Sequence, residues 1–162
     1  MTGRLRGQET GCVTVEGIDG LRSLEGRELG PGDWMAINQD RVNTFAYASG
    51  DDQWIHVDVD RAGAGPFGST IAHGYLTLSL VIPMLAGLLD VVGVRMGVNY
   101  GLDKVRFPTP VPVGSRVRLR AVVSDVSRVD GDGVQVVLDL TVEVEGGTKP
   151  ACVARTIYRY YG

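Results

Sequence analysis

Histidine and cysteine are both scarce in this chain, with two residues of each. Cys12 and Cys152 belong to no C-x-x-C pair, whereas a secreted disulfide scaffold carries more cysteines at regular spacings. Two reduced thiols in a cytoplasmic protein are the expectation. A basic excess is missing too: 16 Lys and Arg stand against 19 Asp and Glu, for a formal net charge of −3, and no basic block stands out. A nucleic-acid binder needs a concentrated basic face to displace counterions from phosphates, so nucleic acid is not an expected partner. The N-terminus, MTGRLRGQETGCVTVEG, contains no apolar stretch of the signal-peptide kind. The longest apolar run, Leu76 to Val94, is interrupted by Pro83, Gly87 and Asp90, and an aspartate near a bilayer centre is costly. It reads as a buried helix rather than a membrane span.

What remains is an ordinary globular balance. Of 162 residues, 44% are hydrophobic and 22% charged, a chain able to bury roughly two thirds of its unfolded surface in one core. A single domain over residues 1–162 is expected, with residues 1–28 as an N-terminal extension. Trp34–Ile37 reads as a short strand, Asn38 as an N-cap, and Val42, Phe45 and Ala46 as one face of a helix ending near Ser49-Gly50. Asp51 to Thr70 reads as an irregular, polar loop region. An apolar helix, Leu76–Leu89, follows from His73-Gly74, with a kink or break at Pro83. Beyond it, Ser115–Val123, Val134–Val144 and Cys152–Tyr160 alternate apolar with polar residues and read as antiparallel strands. A sheet with one apolar face must cover it, and the Leu76–Leu89 helix is the element apolar enough to do so. The fold class is therefore α+β, an antiparallel sheet wrapped around a long central helix.

The chemically informative segment is Ala48-Ser49-Gly50-Asp51-Asp52-Gln53-Trp54-Ile55-His56-Val57-Asp58, which sets a carboxylate and an imidazole just beyond a helix end. Phe67-Gly68-Ser69-Thr70-Ile71-Ala72-His73-Gly74 then leads into the apolar helix, and both histidines fall between positions 56 and 73. An aspartate and a histidine converging on one water can supply two proton transfers. The backbone N–H of Gly74 or His73, at the start of the helix, has no internal acceptor and suits a developing oxyanion.

These two segments, with Val98-Asn99-Tyr100-Gly101-Leu102-Asp103-Lys104-Val105-Arg106-Phe107-Pro108 and Pro112-Val113-Gly114-Ser115, resemble the hydratase motif of the MaoC-like dehydratases, the hot-dog-fold family that includes R-specific enoyl-CoA hydratases. The resemblance runs from about Leu29 to Tyr160 and departs at Gln53-Trp54, where the family usually has Asn-Pro. It implies a hot-dog fold, a homodimer, and Asp51 and His56 as the catalytic pair. The reaction implied is syn addition of water to a trans-2-enoyl-CoA, giving an (R)-3-hydroxyacyl-CoA. Coenzyme A or a phosphopantetheine arm arrives as the substrate's carrier; no metal or further cofactor is expected. Candidate substrate contacts are Tyr47, Trp54, Ser69, Asn99, Lys104, Arg106 and Arg116.

Each residue also has a plainer reading. Asp51 can be a turn aspartate, His56 a satisfied half-buried histidine, and His73 structural support. Asp58 suits a helix cap. His56-x-Asp58-x-Asp60 is a weak metal pattern, and the three basic residues can belong to a solvated sheet face. Two other functions stand beside the hydratase: an acyl-CoA thioesterase on the same fold, and a non-catalytic acyl-thioester-binding subunit.

Overall fold

A computed structural model describes residues 11–162. Its scaffold is the antiparallel ladder that the alternation demands. β6 (Arg116–Val129), β7 (Gly133–Val144) and β8 (Cys152–Tyr161) run as a meander. Their register stacks apolar residues on one face: Leu119 opposite Val142, Ala121 opposite Leu140, Val123 opposite Leu138, and Leu140 opposite Ala154. All of these are buried. A bulge between Val123 and Asp125 bends β6 and lets it run on to Val129. β2 (Glu28–Leu29) and β3 (Met35–Ala36) add to the outer side of β6, and β5 (Met96–Arg106) pairs with β8 at the opposite end. The outer face is wet, carrying ion pairs of Arg118 and Arg120 with Glu143, Arg116 with Glu145, and Arg155 with Asp139.

The apolar helix lies against the inner face, but it is segmented. α5 (Gly74–Ser79) and α6 (Val81–Ala86) meet at Leu80, three residues before Pro83. Proline has no N–H for the Ser79 carbonyl, and its ring crowds that turn. The disturbance is local: Leu80 stays right-handed, and the Leu80 N–H to Leu76 O (3.0 Å) and Met84 N–H to Leu80 O (3.2 Å) bonds carry the axis across. Leu76, Leu80, Val81, Met84 and Leu85 share one core cluster with Leu119, Ala121, Val123 and Leu138. The helix stops at Ala86, short of the expected Leu89. Leu89–Val92 is instead a strand, β4, pairing in parallel with β1 (Val13–Glu16). α1 (Gly17–Arg22) follows β1, and Leu21 and Leu24 sit fully inside the core, so the segment expected as an extension is integral from Val13 onward.

α2 (Gln39–Ser49) begins as expected, with Asn38 Oδ1 accepting the Arg41 N–H at 2.9 Å. It ends at Gly50, whose φ of 75° is the left-handed conformation that glycine adopts without a Cβ clash. The following stretch is more ordered than its composition suggests. It folds into α3 (Trp54–Val57) and α4 (Val59–Gly63), with Asp58 Oδ1 capping α4 through the Arg61 N–H at 3.0 Å. Among the described residues, no helix is long and apolar enough to cross a membrane.

Truncating Leu138, which is buried where sheet and helix meet, is expected to cost about 2–5 kcal/mol of stability. Urea unfolding of Leu138→Ala should show a lowered midpoint at unchanged slope; a midpoint equal to the parent's would mean the layer is not closely packed.

Candidate active site

Four elements converge on one spot. The left-handed Gly50 turns the chain out of α2 and presents Asp51 at an exposed position, its N–H donating to Ser49 Oγ at 3.3 Å. α3 carries His56 inward, leaving it 7% exposed. The chain just before α5 carries His73, which is 2% exposed. Gly74 opens α5, so its amide has no acceptor within the helix.

The hydrogen bonds fix the tautomers. A carbonyl oxygen only accepts, so His56 Nδ1, 2.7 Å from Ile71 O, carries a proton, and its Nε2 keeps a free lone pair. By the same reasoning His73 Nε2 donates to Asp51 O at 2.8 Å. The rings of the two histidines stack at 3.8 Å with 24° between planes, and Phe45 packs on His73 at 4.9 Å. His73 Nδ1 is buried and meets no partner.

A second layer holds this arrangement. Gln39 Nε2 donates to His56 O at 2.7 Å, and Gln39 Oε1 accepts from Thr70 Oγ1 at 2.6 Å. The Ile71 N–H donates to Ile55 O, the Ala72 N–H to Val111 O, and the Val113 N–H to Thr70 O. The segment before α5 is thereby clamped between α3 and the chain leading into β6.

Burial pushes the His56 pKa below the ordinary imidazole value of 6.5; the Ile71 carbonyl bond and the Asp51 charge oppose that, and His73 adds to it. The neutral ring, with its Nε2 lone pair, is favoured.

A cavity of about 270 Å³ has both His56 and Gly74 in its wall, with Phe67, Ile71, Thr77, Phe107, Val111 and Ala151 among the rest. The space beside the Gly74 Cα is occupied by Phe107: a Cβ there would lie 2.9 Å from the ring. One ligand-capable atom from each of Asp51, His56 and His73 lies within 4.8 Å of the others. As a metal site this is poor, because imidazole lone pairs lie in the ring planes and two nearly parallel stacked rings do not aim at a common ion. As a water site it is good: a carboxylate oxygen and a ring nitrogen at that separation can each sit about 2.8 Å from one bridging water.

Other sequence candidates are not gathered here. Tyr47 is 93% exposed on α2. Trp54 lies under the Arg61 guanidinium, 4.4 Å away, and against Gly65. The Ser69 hydroxyl donates to Thr70 O at 3.1 Å. Asn99 lines a different groove, about 320 Å³ between α5/α6 and β5/β8, which includes none of Asp51, His56 and Gly74. Lys104 is exposed on β5, Arg106 Nη1 donates to the Val105 carbonyl at 2.7 Å, and Arg116 is engaged by Glu145. Conversely, Gln39, Thr77 and Ala151 went unnoticed in the sequence, and Phe107 stood out there only as part of the family-like segment. Thr77 was findable, four residues after His73 on the same helical face; Ala151 had no local signal.

Comparison with known proteins is consistent with this geometry. The MaoC like domain family model matches residues 22–145. The chain belongs to the MaoC-like dehydratase family. It is 52% identical over 147 residues to 3-hydroxyacyl-thioester dehydratase Z of Mycobacterium tuberculosis, covering 91% of this chain and 97% of that one. It is 44% identical over 142 residues to Nodulation protein N of Rhizobium meliloti, covering 86% and 88%. Among solved structures, the monoamine oxidase regulatory protein from Archaeoglobus fulgius superposes with a TM-score of 0.75 at 24% identity, covering 94% of this chain and 99% of that one. The hot-dog architecture expected from the sequence is the one found, with the central helix in two pieces.

In this MaoC-like dehydratase the depressed His56 pKa has a thermodynamic consequence. Between its folded value and 6.5 the unfolded chain binds more protons, so stability rises with pH through that window and the contribution is complete above it. Urea unfolding from about pH 5 to about pH 8 should show stability falling as pH drops below about 6.5. His56→Asn should flatten that part of the curve. Parallel curves for parent and variant would contradict the assignment.

Proposed function

We propose that the protein hydrates trans-2-enoyl thioesters, and dehydrates the corresponding (R)-3-hydroxyacyl thioesters, with Asp51 and His56 acting on one water. The observation that carries this reading is the shared cavity: His56, with a free lone pair at Nε2, and Gly74, with an uncommitted amide, face the same space, and the Asp51 carboxylate lies within bridging distance of the imidazole.

The chemistry follows from those atoms. The enoyl thioester lies in the cavity with its carbonyl oxygen toward the Gly74 N–H. Asp51 accepts one hydrogen of the water and His56 Nε2 accepts the other. As the water oxygen bonds to the β-carbon, His56 takes its proton, and the double-bond electrons move toward the α-carbon and the thioester oxygen. The Gly74 amide steadies that developing charge. His56 then returns the proton to the α-carbon on the same face, so both side chains end in their starting states. Dehydration is the reverse. The name of the Mycobacterium tuberculosis relative, a 3-hydroxyacyl-thioester dehydratase, supports the substrate class.

Crotonyl-CoA hydration, followed by loss of the conjugated-thioester absorbance, tests the reading. Asp51→Asn and His56→Ala are each expected to lower kcat by about 10²–10⁴-fold. Asp51→Asn, at an exposed position, should leave the thermal midpoint nearly unchanged, whereas His56→Ala removes a buried ring and should lower the midpoint of a still-folded protein. An active variant of either kind sinks the mechanism. A chromogenic disulfide in the same assay should detect no free thiol; thiol release would make the protein a thioesterase.

The edge of β5, unpaired among the described residues, supports a second part of the reading, a homodimer. β5 ends the sheet order, and Val98, Tyr100 and Leu102 on it are exposed together with Tyr75 and Ile82 of the adjacent helices. An eleven-residue edge strand that exposes Val98, Tyr100 and Leu102 is a pairing template, and a second copy meets it with the same strand. Sedimentation should give a dimer, and Val98→Lys combined with Leu102→Lys should shift it to monomer. A parent that sediments as monomer at all concentrations contradicts this.

A further inference from the structure

We infer that His73 is a positioning residue, which fixes the Asp51 loop relative to the His56 ring through its Nε2–H while taking no part in proton transfer. Three contacts place it. Its Nε2 donates to Asp51 O at 2.8 Å, its ring stacks on His56 at 3.8 Å, and it directly precedes Gly74. One side chain therefore touches the loop that carries the carboxylate and the ring that carries the base, next to the amide proposed for the oxyanion. It does this from a buried position: His73 is 2% exposed, and its Nε2–H is already committed to the Asp51 carbonyl.

The unpartnered Nδ1 distinguishes positioning from plain packing. A buried ring nitrogen without a hydrogen-bond partner is a cost. Phenylalanine at this position would stack on His56 and Phe45 without that cost. What the imidazole supplies and a phenyl ring does not is the single N–H aimed at the Asp51 carbonyl. Asp51 is otherwise weakly tied, because its own N–H reaches only Ser49 Oγ, at 3.3 Å. Loss of the His73 bond frees the loop, and a displacement on the order of 1 Å at a reacting group can cost about 10²-fold in rate.

The kinetic arm of the test rests on the hydratase reading; the exchange arm does not. His73→Phe keeps the stack and removes the donor, whereas His73→Gln keeps a donor at similar reach. With crotonyl-CoA, H73F is expected to lose about 10²-fold in kcat with KM nearly unchanged, and H73Q to recover most of the loss. Amide hydrogen exchange over residues 50–53 should accelerate in H73F and stay near the parental rate in H73Q. The inference is overturned by an H73F protein with parental kcat and exchange, or by equal kinetic losses in H73F and H73Q. If H73F does not fold, H73Q decides: near-parental kcat and exchange uphold the inference, and a folded H73Q with the Asp51 loop exposed overturns it. If the parent itself hydrates nothing, the hydratase reading fails, and the exchange comparison alone still judges His73.

Discussion

The hydrogen bond from His56 Nδ1 to the Ile71 carbonyl is the constraint on which the site depends. Its acceptor is a main-chain carbonyl, so it does not depend on the Ile71 side chain, and it settles which imidazole nitrogen is free. With Nδ1 committed, Nε2 is the nitrogen left free, His56 lines the cavity, and burial favours the neutral ring. A histidine with its tautomer unfixed would divide between two orientations, one of them useless as a base. The carbonyl is itself held: Ile71 bridges to Pro112, its N–H is bonded to Ile55 O, and Gln39 ties the His56 main chain to Thr70.

The fold serves that bond by bringing distant segments to a single point. α2 delivers Asp51 by ending at a left-handed glycine. The helix behind His73 is anchored in the sheet by Leu76, Leu80 and Leu85. The break at Leu80 is distal to Gly74, so the first turn of α5 stays regular where the Gly74 amide lies. The Arg and Glu pairs on the outer sheet face take no part in this. Exposed pairs of that kind contribute little to stability, and Arg116, which the sequence pattern offered as a phosphate contact, is in one with Glu145.

Much of this was legible before any coordinates. The three meander strands follow from strict alternation, because a sheet with one wet face leaves no other arrangement for Val117, Leu119, Ala121 and Val123. Asp51, His56 and Gly74 stood out by residue type and placement. β5 escaped notice because Gly97, Gly101, Asp103 and Lys104 break its alternation, and its pairing with β8 is irregular at two points. β1 and β4 are four residues each and exist through one another, a long-range parallel pairing with no local signature. The cavity wall was hidden for a related reason: Ala151 and Val111 reach it only through the closure of the sheet. Tyr47 lay just before the motif and Trp54 within it, but neither lines the cavity. Proximity in sequence did not become proximity in space.

One water shared by two side chains opposite a backbone amide is the centre of the proposed mechanism. A crystal structure with an unreactive analogue of a 3-hydroxyacyl thioester tests it most directly, since the β-hydroxyl marks where that water's oxygen ends up. The predicted result is a hydroxyl within about 3 Å of both the Asp51 carboxylate and His56 Nε2, with the thioester oxygen on the Gly74 N–H. A hydroxyl touching only one of the two side chains, or an analogue seated in the groove beside Asn99 and Tyr158, would contradict it.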